Sequence, residues 1–199
     1  SSIQGALVIA SGCVIIAAWT LLYIRAAAHE RPGLKLMYLL PFEVALYFIF
    51  YQQMVTSLTL FALRNVSKEF TLFGVNLFSM SAGQFQAFNP LWIMGGTPVL
   101  IAIYNWLGRR DDDVSIATKF VIGFACVTLS FLIWWLSAAM SSSPYVSPWV
   151  MLIGYGPLSI GELMLNSLGL AAIARYVPPR ISAFMAGCFY VMIGFAMYV

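Results

Sequence analysis

Residues 149–177 read WVMLIGYGPLSIGELMLNSLGLAAIARYV. The stretch is apolar and long enough, as a helix, to cross a bilayer. It nevertheless holds Glu162 near its middle. A carboxylate at membrane depth is costly and requires a partner, a proton or a water-filled cavity. Its neighbours at three- and four-residue steps are Tyr155, Ser159, Asn166 and Gly169. They form one polar stripe on a helix otherwise made of Leu, Ile, Met and Ala. Such a stripe points to a pathway through the membrane rather than to soluble chemistry.

The rest of the chain agrees with a membrane environment. Of its 199 residues, 62% are hydrophobic and 9% charged, whereas a soluble domain carries about 25% charge. Apolar segments fall at about residues 3–25, 37–63, 80–108, 115–138, 148–176 and 181–199. In hydrocarbon, every backbone polar group must be satisfied internally, so only helices or closed barrels span. The segments lack strict alternation, which selects helices. The expected fold is therefore an all-α polytopic membrane protein with six apolar helices. Breakers separate the segments: Arg31-Pro32-Gly33, the run from Gly108 to Asp113, Ser141-Ser142-Ser143-Pro144, and Pro178-Pro179. Ser147-Pro148 reads as an N-cap followed by proline in the first helical position.

Charge sets the orientation. Arg25, Arg31 and Lys35 flank the first loop, Arg109, Arg110 and Lys119 the third, and Arg175 and Arg180 the fifth. These alternate loops share one side and hold eight of the ten basic residues. The positive-inside rule places them in the cytoplasm and Ser1 outside. Six Trp and ten Tyr, among them Tyr145 and Trp149, suit aromatic belts at the interfaces. Cys13, Cys126 and Cys188 each stand alone in an apolar segment and read as small buried hydrophobes. The chain opens on Ser1-Ser2-Ile3-Gln4 and stops at Tyr198-Val199 inside an apolar run, so a piece of a longer protein is expected.

Several polar residues bear on chemistry. Pro90, in Phe85-Gln86-Ala87-Phe88-Asn89-Pro90, removes the donor that the Gln86 carbonyl would use in a continuous helix. With Asn89 beside it, the result is either a polar notch lining a cavity or a kink with Asn89 bonded to a neighbouring helix. Pro98 and Pro157 act likewise on Met94 and Ile153. Gln52, Gln53, Thr56, Ser57 and Thr59 crowd one level of the second segment, facing a cavity or other helices. Glu43 reads as snorkelling or paired, and His29 and Asp111–Asp113 as solvated. No RNP, zinc or P-loop spacing, HExxH or GxSxG occurs, and the net charge of +3 is small. Nucleic acid, a metal site, a cofactor and enzymatic activity are accordingly not expected.

At these motifs the chain resembles the C-terminal half of the bacterial proton-dependent oligopeptide transporters of the major facilitator superfamily. The resemblance rests on Tyr51-Gln52-Gln53-Met54-x-Thr56-Ser57-Leu58, Phe85-Gln86-x-x-Asn89-Pro90, Gly161-Glu162-Leu163 with Leu168-Gly169-Leu170, and Val177-Pro178-Pro179-Arg180 followed by Met185-x-Gly187. It implies that residues 1–35 are an extra inserted transmembrane helix with its cytoplasmic loop. Residues 36–199 would be the truncated C-terminal six-helix bundle, carrying core helices seven to eleven. The chain departs from the family pattern in three places. Gln52 or Gln53 stands where many members have an acidic residue, Asn166 where many have Ser, and Phe189 where many have Trp.

The resemblance further implies proton-coupled import of di- and tripeptides by alternating access, driven by a proton gradient, across the inner membrane by a monomer. Glu162 and Asn89 would meet the peptide amino end, with Gln53, Ser57, Asn166 and Phe189 lining the pocket. An ammonium group offers three donors, and a carboxylate and an amide carbonyl are suitable acceptors. The alternatives are a facilitator of another organic solute, such as a drug, nitrate or sugar, and a non-transporting membrane scaffold. The basic excess makes one direct prediction. A cysteine introduced at Asp112 should be labelled by an impermeant thiol reagent only after the cytoplasmic face is opened; labelling in intact cells would reverse the topology.

Overall fold

The computed structural model describes residues 2–109 and 115–198. Arg110, Asp111, Asp112 and Asp113, expected in a solvated loop, lie outside the described residues. Seven α-helices are described: α1 (Ser2–Arg25), α2 (Arg31–Val55), α3 (Ser57–Asn65), α4 (Phe88–Gly108), α5 (Ile116–Met140), α6 (Trp149–Tyr176) and α7 (Pro179–Tyr198). A hairpin of β1 (Glu69–Leu72) and β2 (Val75–Ser79) and a 3-10 turn (Gln84–Ala87) lie between α3 and α4. Six spans are long and apolar enough to cross a membrane: Gly5–Arg25, Glu43–Asn65, Gln84–Gly108, Ile116–Met140, Trp149–Tyr176 and Pro179–Met197. The described chain is thus a multi-pass helical membrane protein.

The sequence reading needs correction in five places. Arg31-Pro32-Gly33 does not separate helices but forms the first turn of α2, where a proline loses no intrahelical donor. The second segment is not one helix: Thr56, at φ −106° and ψ −91°, divides α2 from α3. Its polar side chains supply bonds at the break, since Thr59 Oγ1 donates to the carbonyl of Met54 at 3.0 Å. The third segment begins as a 3-10 turn, so Pro90 lies in the first turn of α4 instead of its middle. The backbone N–H of Phe88 points toward the carbonyls of Phe85 and Gln86. Ser147-Pro148 lies just ahead of α6, which opens at Trp149. Cys13 is exposed, although Cys188 is buried as expected. By contrast α4 and α6 run through Pro98 and Pro157.

The chain forms two compact units, residues 53–165 and residues 1–52 with 166–199. In the first of these, α6 approaches α5 and α4 through small residues. A Cβ on Gly161 would stand 2.8 Å from the carbonyl oxygen of Gly123, and one on Gly154 would enter the ring of Trp134. Trp92 of α4 packs on Gly156 and donates from Nε1 to the carbonyl of Leu152 at 2.8 Å. Close approach through small residues is how membrane helices gain packing without a hydrophobic driving force. Ser115 caps α5 by accepting from the backbone of Thr118.

The hairpin was not foreseen. Its two-residue turn places Phe73 and Gly74 at positive φ, 50° and 81°, the pattern that matches strand twist in tight hairpins. Phe70 is fully buried and stacks with Phe78, with Phe85, Phe88 and Trp149 edge-on around it. Trp149 Nε1 donates to the carbonyl of Thr71 at 3.0 Å, and Ser67 donates from its backbone to Val146 at 2.9 Å. The strands lie between two spans, outside the apolar depth, as their open edges require.

In the other unit, α1 packs on α7 with Gly12 facing the ring of Phe195, and Ile15 and Trp19 are buried. Gly33 abuts the carbonyl of Tyr176 so closely that any Cβ would collide with it. Glycine's role at the α5–α6 contact is testable. Gly161→Ala should destabilise the protein by ~1–3 kcal/mol, because the obstructing atoms include backbone. Gly95→Ala on α4 meets nothing within 4 Å and should be neutral or slightly stabilising. Thermal unfolding in detergent compares the two, and equal effects would refute the close contact.

Candidate substrate-binding site

The polar stripe of α6 meets the first turn of α4. Asn89 is only 4% exposed, and Ser159 is fully buried. Asn89 Nδ2 donates to Glu162 Oε2 at 2.9 Å. Ser159 Oγ lies 2.5 Å from Asn89 Oδ1 and 2.8 Å from the carbonyl of Tyr155. A hydroxyl carries a single proton, so it donates to one of these at a time. An ionised carboxylate can only accept, which directs the amide NH2 of Asn89 to Glu162 and its carbonyl to Ser159. The amide is therefore clamped at both ends by residues three positions apart on one face of α6.

Glu162 is half-buried, so its carboxylate is within a packed region and still reachable. Two carboxylate oxygens offer about four lone-pair directions. The bond from Asn89 takes one of these directions. The arrangement is suited to recognising an ammonium group: it has an anionic acceptor held in place by a neutral amide. Gly161, the preceding residue, sits against the backbone of α5, which fixes the height of Glu162 on the helix.

A second polar connection runs through the break at Thr56. Gln86 Nε2 donates to Thr59 Oγ1 at 2.9 Å, and that hydroxyl donates to Met54. Ser57 Oγ donates to Gln53 Oε1 at 2.6 Å, with Gln53 half-buried and Ser57 exposed. The structure thus joins Gln53 to Ser57 and Asn89 to Glu162 within the same unit. Asn166 and Phe189 belong to the other unit. Asn166 is half-buried. Phe189 is 1% exposed, with its ring where a side chain on Gly169 would project. Ser159, not among the expected site residues, is the group that orients Asn89; its place in the stripe was the available signal. Glu43 is half-buried, and His29 is exposed.

These features define a multi-pass helical membrane protein with a hydrogen-bonded carboxylate–amide pair between two spans. The chain matches the model of the POT family (PTR2) over residues 6–199, and it belongs to that family. It is 37% identical over 184 residues to dipeptide and tripeptide permease A of Proteus mirabilis (strain HI4320), covering 92% of this chain and 36% of that protein. Identity to the permease A of Escherichia coli (strain K12) is 38% over 184 residues, covering 92% and 35% respectively. Among solved structures, tetrameric PepTSo2 is 40% identical with a TM-score of 0.81, over 99% of this chain and 38% of that one. A bacterial homologue of the human drug peptide transporters PepT1 and PepT2 is 39% identical with a TM-score of 0.77, at the same coverage. The chain therefore spans little more than a third of the length of these relatives.

The clamp on Asn89 predicts energetic coupling. In a double-mutant cycle of Ser159→Ala and Asn89→Ala, the pair should show a coupling of about 0.5–2 kcal/mol in unfolding. Additive losses would mean that Ser159 does not hold the amide.

Proposed function

We propose that this chain is the C-terminal part of a proton-coupled symporter that imports di- and tripeptides by alternating access. The observation that carries the reading is the bond from Asn89 Nδ2 to Glu162 Oε2. It presents an oriented carboxylate in a span, where an unused charge would be costly. The printed names of the permease relatives support peptides as the substrate class, and family membership supports transport over catalysis.

In this reading Glu162 accepts from the peptide ammonium, and Asn89 fixes the carboxylate through its bond and shares in the recognition. Gln53 and Ser57 contribute from the break between α2 and α3. The peptide carboxylate is met by basic groups elsewhere in the longer protein. Proton coupling is driven by the gradient across the inner membrane, where the protein would reside with its basic loops in the cytoplasm. No cofactor or metal is invoked. One chain is the transporting unit, with the tetramer of PepTSo2 as the alternative state.

Glu162→Gln keeps the size and hydrogen bonding of the side chain and removes its charge. Losing a charge-assisted bond to an ammonium costs roughly 1.5–3 kcal/mol, so dipeptide affinity of the full-length protein should fall about tenfold to a hundredfold. The wild type should prefer a dipeptide over its N-acetylated form, and the variant should lose that preference. Equal discrimination by both proteins would exclude Glu162 as the ammonium site.

A further inference from the structure

The unit containing α1 and α7 holds a cavity that peptide recognition leaves unused. It has a volume of about 280 Å³ and lies where α1 ends, α2 begins and α7 begins. Arg25, Glu30 and Arg180 line it above an apolar floor of Leu22, Leu34 and Ile181. A second cavity of about 320 Å³ runs along α1 and α7 past Ala18, Leu21 and Phe184. The two share Leu22, Arg25 and Ile181 as lining residues. A charged cup therefore adjoins a groove whose wall is apolar except for Arg25.

The position relative to the membrane follows from the spans. Gly5–Arg25 ends at this cup, and Pro179–Met197 begins beside it. The cup thus lies at a membrane edge and the groove at hydrocarbon depth. The basic excess of the flanking loops makes this the cytoplasmic edge.

The charges are arranged to leave cationic capacity facing outward. Arg180 Nη2 donates to both oxygens of Glu30, at 2.9 and 2.7 Å. Glu30 also accepts from the backbone of Ala27 at 3.3 Å. Its side chain is 13% exposed, against 68% for Arg180. The carboxylate is committed inward, to the guanidinium and to the loop. Among the described residues the pair engages only Nη2, so Nη1 and Nε can serve another acceptor. Arg25 is exposed and enters no ion pair among the described residues. Two guanidinium groups against one carboxylate leave a net positive cup.

We propose that this is a binding site for an anionic phospholipid, with its phosphate on Arg25 and Arg180 and an acyl chain along Ala18, Leu21 and Phe184. Guanidinium forks match phosphate oxygens in pairs, and basic pockets between membrane helices on the cytoplasmic side suit anionic headgroups. A soluble phosphate would satisfy the arginines but gain nothing from the groove. A zwitterionic lipid would fill the groove but gain little from the net charge. The same lipid would join α1 to α7 beside the ion pair of Glu30 and Arg180.

Native mass spectrometry of the full-length protein tests this, with dioleoyl phosphatidylglycerol and dioleoyl phosphatidylcholine titrated separately. Phosphatidylglycerol should bind about fivefold or more tightly than phosphatidylcholine. Arg25→Gln leaves the Glu30–Arg180 pair in place and should lower phosphatidylglycerol affinity about fivefold, with phosphatidylcholine unchanged. Ala18→Phe fills the groove and should weaken phosphatidylglycerol while both arginines remain. Millimolar inorganic phosphate should not displace the lipid. Equal binding of the two lipids by the wild type would overturn the proposal. So would unchanged phosphatidylglycerol affinity in either variant. Displacement by inorganic phosphate would reduce the site to one for a simple anion.

Discussion

A half-buried carboxylate within a membrane span must be held by something, and in residues 53–165 that requirement organises the packing. Glu162 is bonded to Asn89 at 2.9 Å, and Asn89 is oriented by Ser159 at 2.5 Å. These bonds need α4 and α6 at one spacing and one rotation. Apolar contacts alone would allow either helix to slide, because lipid tails are as apolar as Leu. Trp92 on Gly156, and Gly161 on the backbone of Gly123, set the same spacing by shape. Polar bonds and glycine contacts therefore enforce the same register. A change at either is transmitted to Glu162.

The same constraint explains where the helices break. Within hydrocarbon, a carbonyl freed from its i→i−4 bond needs another donor. At Thr56 that donor is the hydroxyl of Thr59, which reaches Met54 and in turn accepts from Gln86. The break is therefore supplied by the polar residues that surround it in sequence. At Pro90 a different solution appears. The proline stands in the first turn of α4, where the absent N–H has no intrahelical partner to serve.

Much of this was legible in the sequence because the bilayer restricts the choices. Segment length and apolarity imply six spans; the stripe through Tyr155, Ser159 and Glu162 suggests a face toward a pathway, and in the structure Ser159 and Glu162 meet Asn89 of α4. The resemblance implies that Asn89 and Glu162 meet one ligand group; their bond to each other is visible only in the structure, since 73 residues separate them and no local pattern links them. The break at Thr56 was hidden because Thr and Ser are compatible with a membrane helix; only the crowding of polar side chains marked it. The hairpin leaves little mark in the sequence, because its turn at Phe73-Gly74 lacks the usual Asn-Gly signal. Its stability comes from Phe70 packing among four other aromatic rings, a long-range effect. The resemblance implies a pocket-lining Phe189, whereas in the structure its ring is buried in the space that Gly169 leaves.

The two kinds of charge in this chain are handled by opposite means. Glu162, in the middle of a span, is tied to a neutral amide, which neither cancels its charge nor competes strongly for it. An arginine in that place would form a pair whose desolvation cost its attraction need not repay, and would leave the carboxylate little use for a passing cation. Glu30, at the membrane edge, is instead tied to Arg180, and its bond to Ala27 anchors the loop after α1. That pair can afford full neutralisation because its task is to join elements, with the outer side of the guanidinium still turned to solvent. An amide partner leaves a carboxylate's charge uncancelled, and a guanidinium partner neutralises it. On that distinction the role proposed for Glu162, binding a cation, differs from that of Glu30, which joins elements of the scaffold.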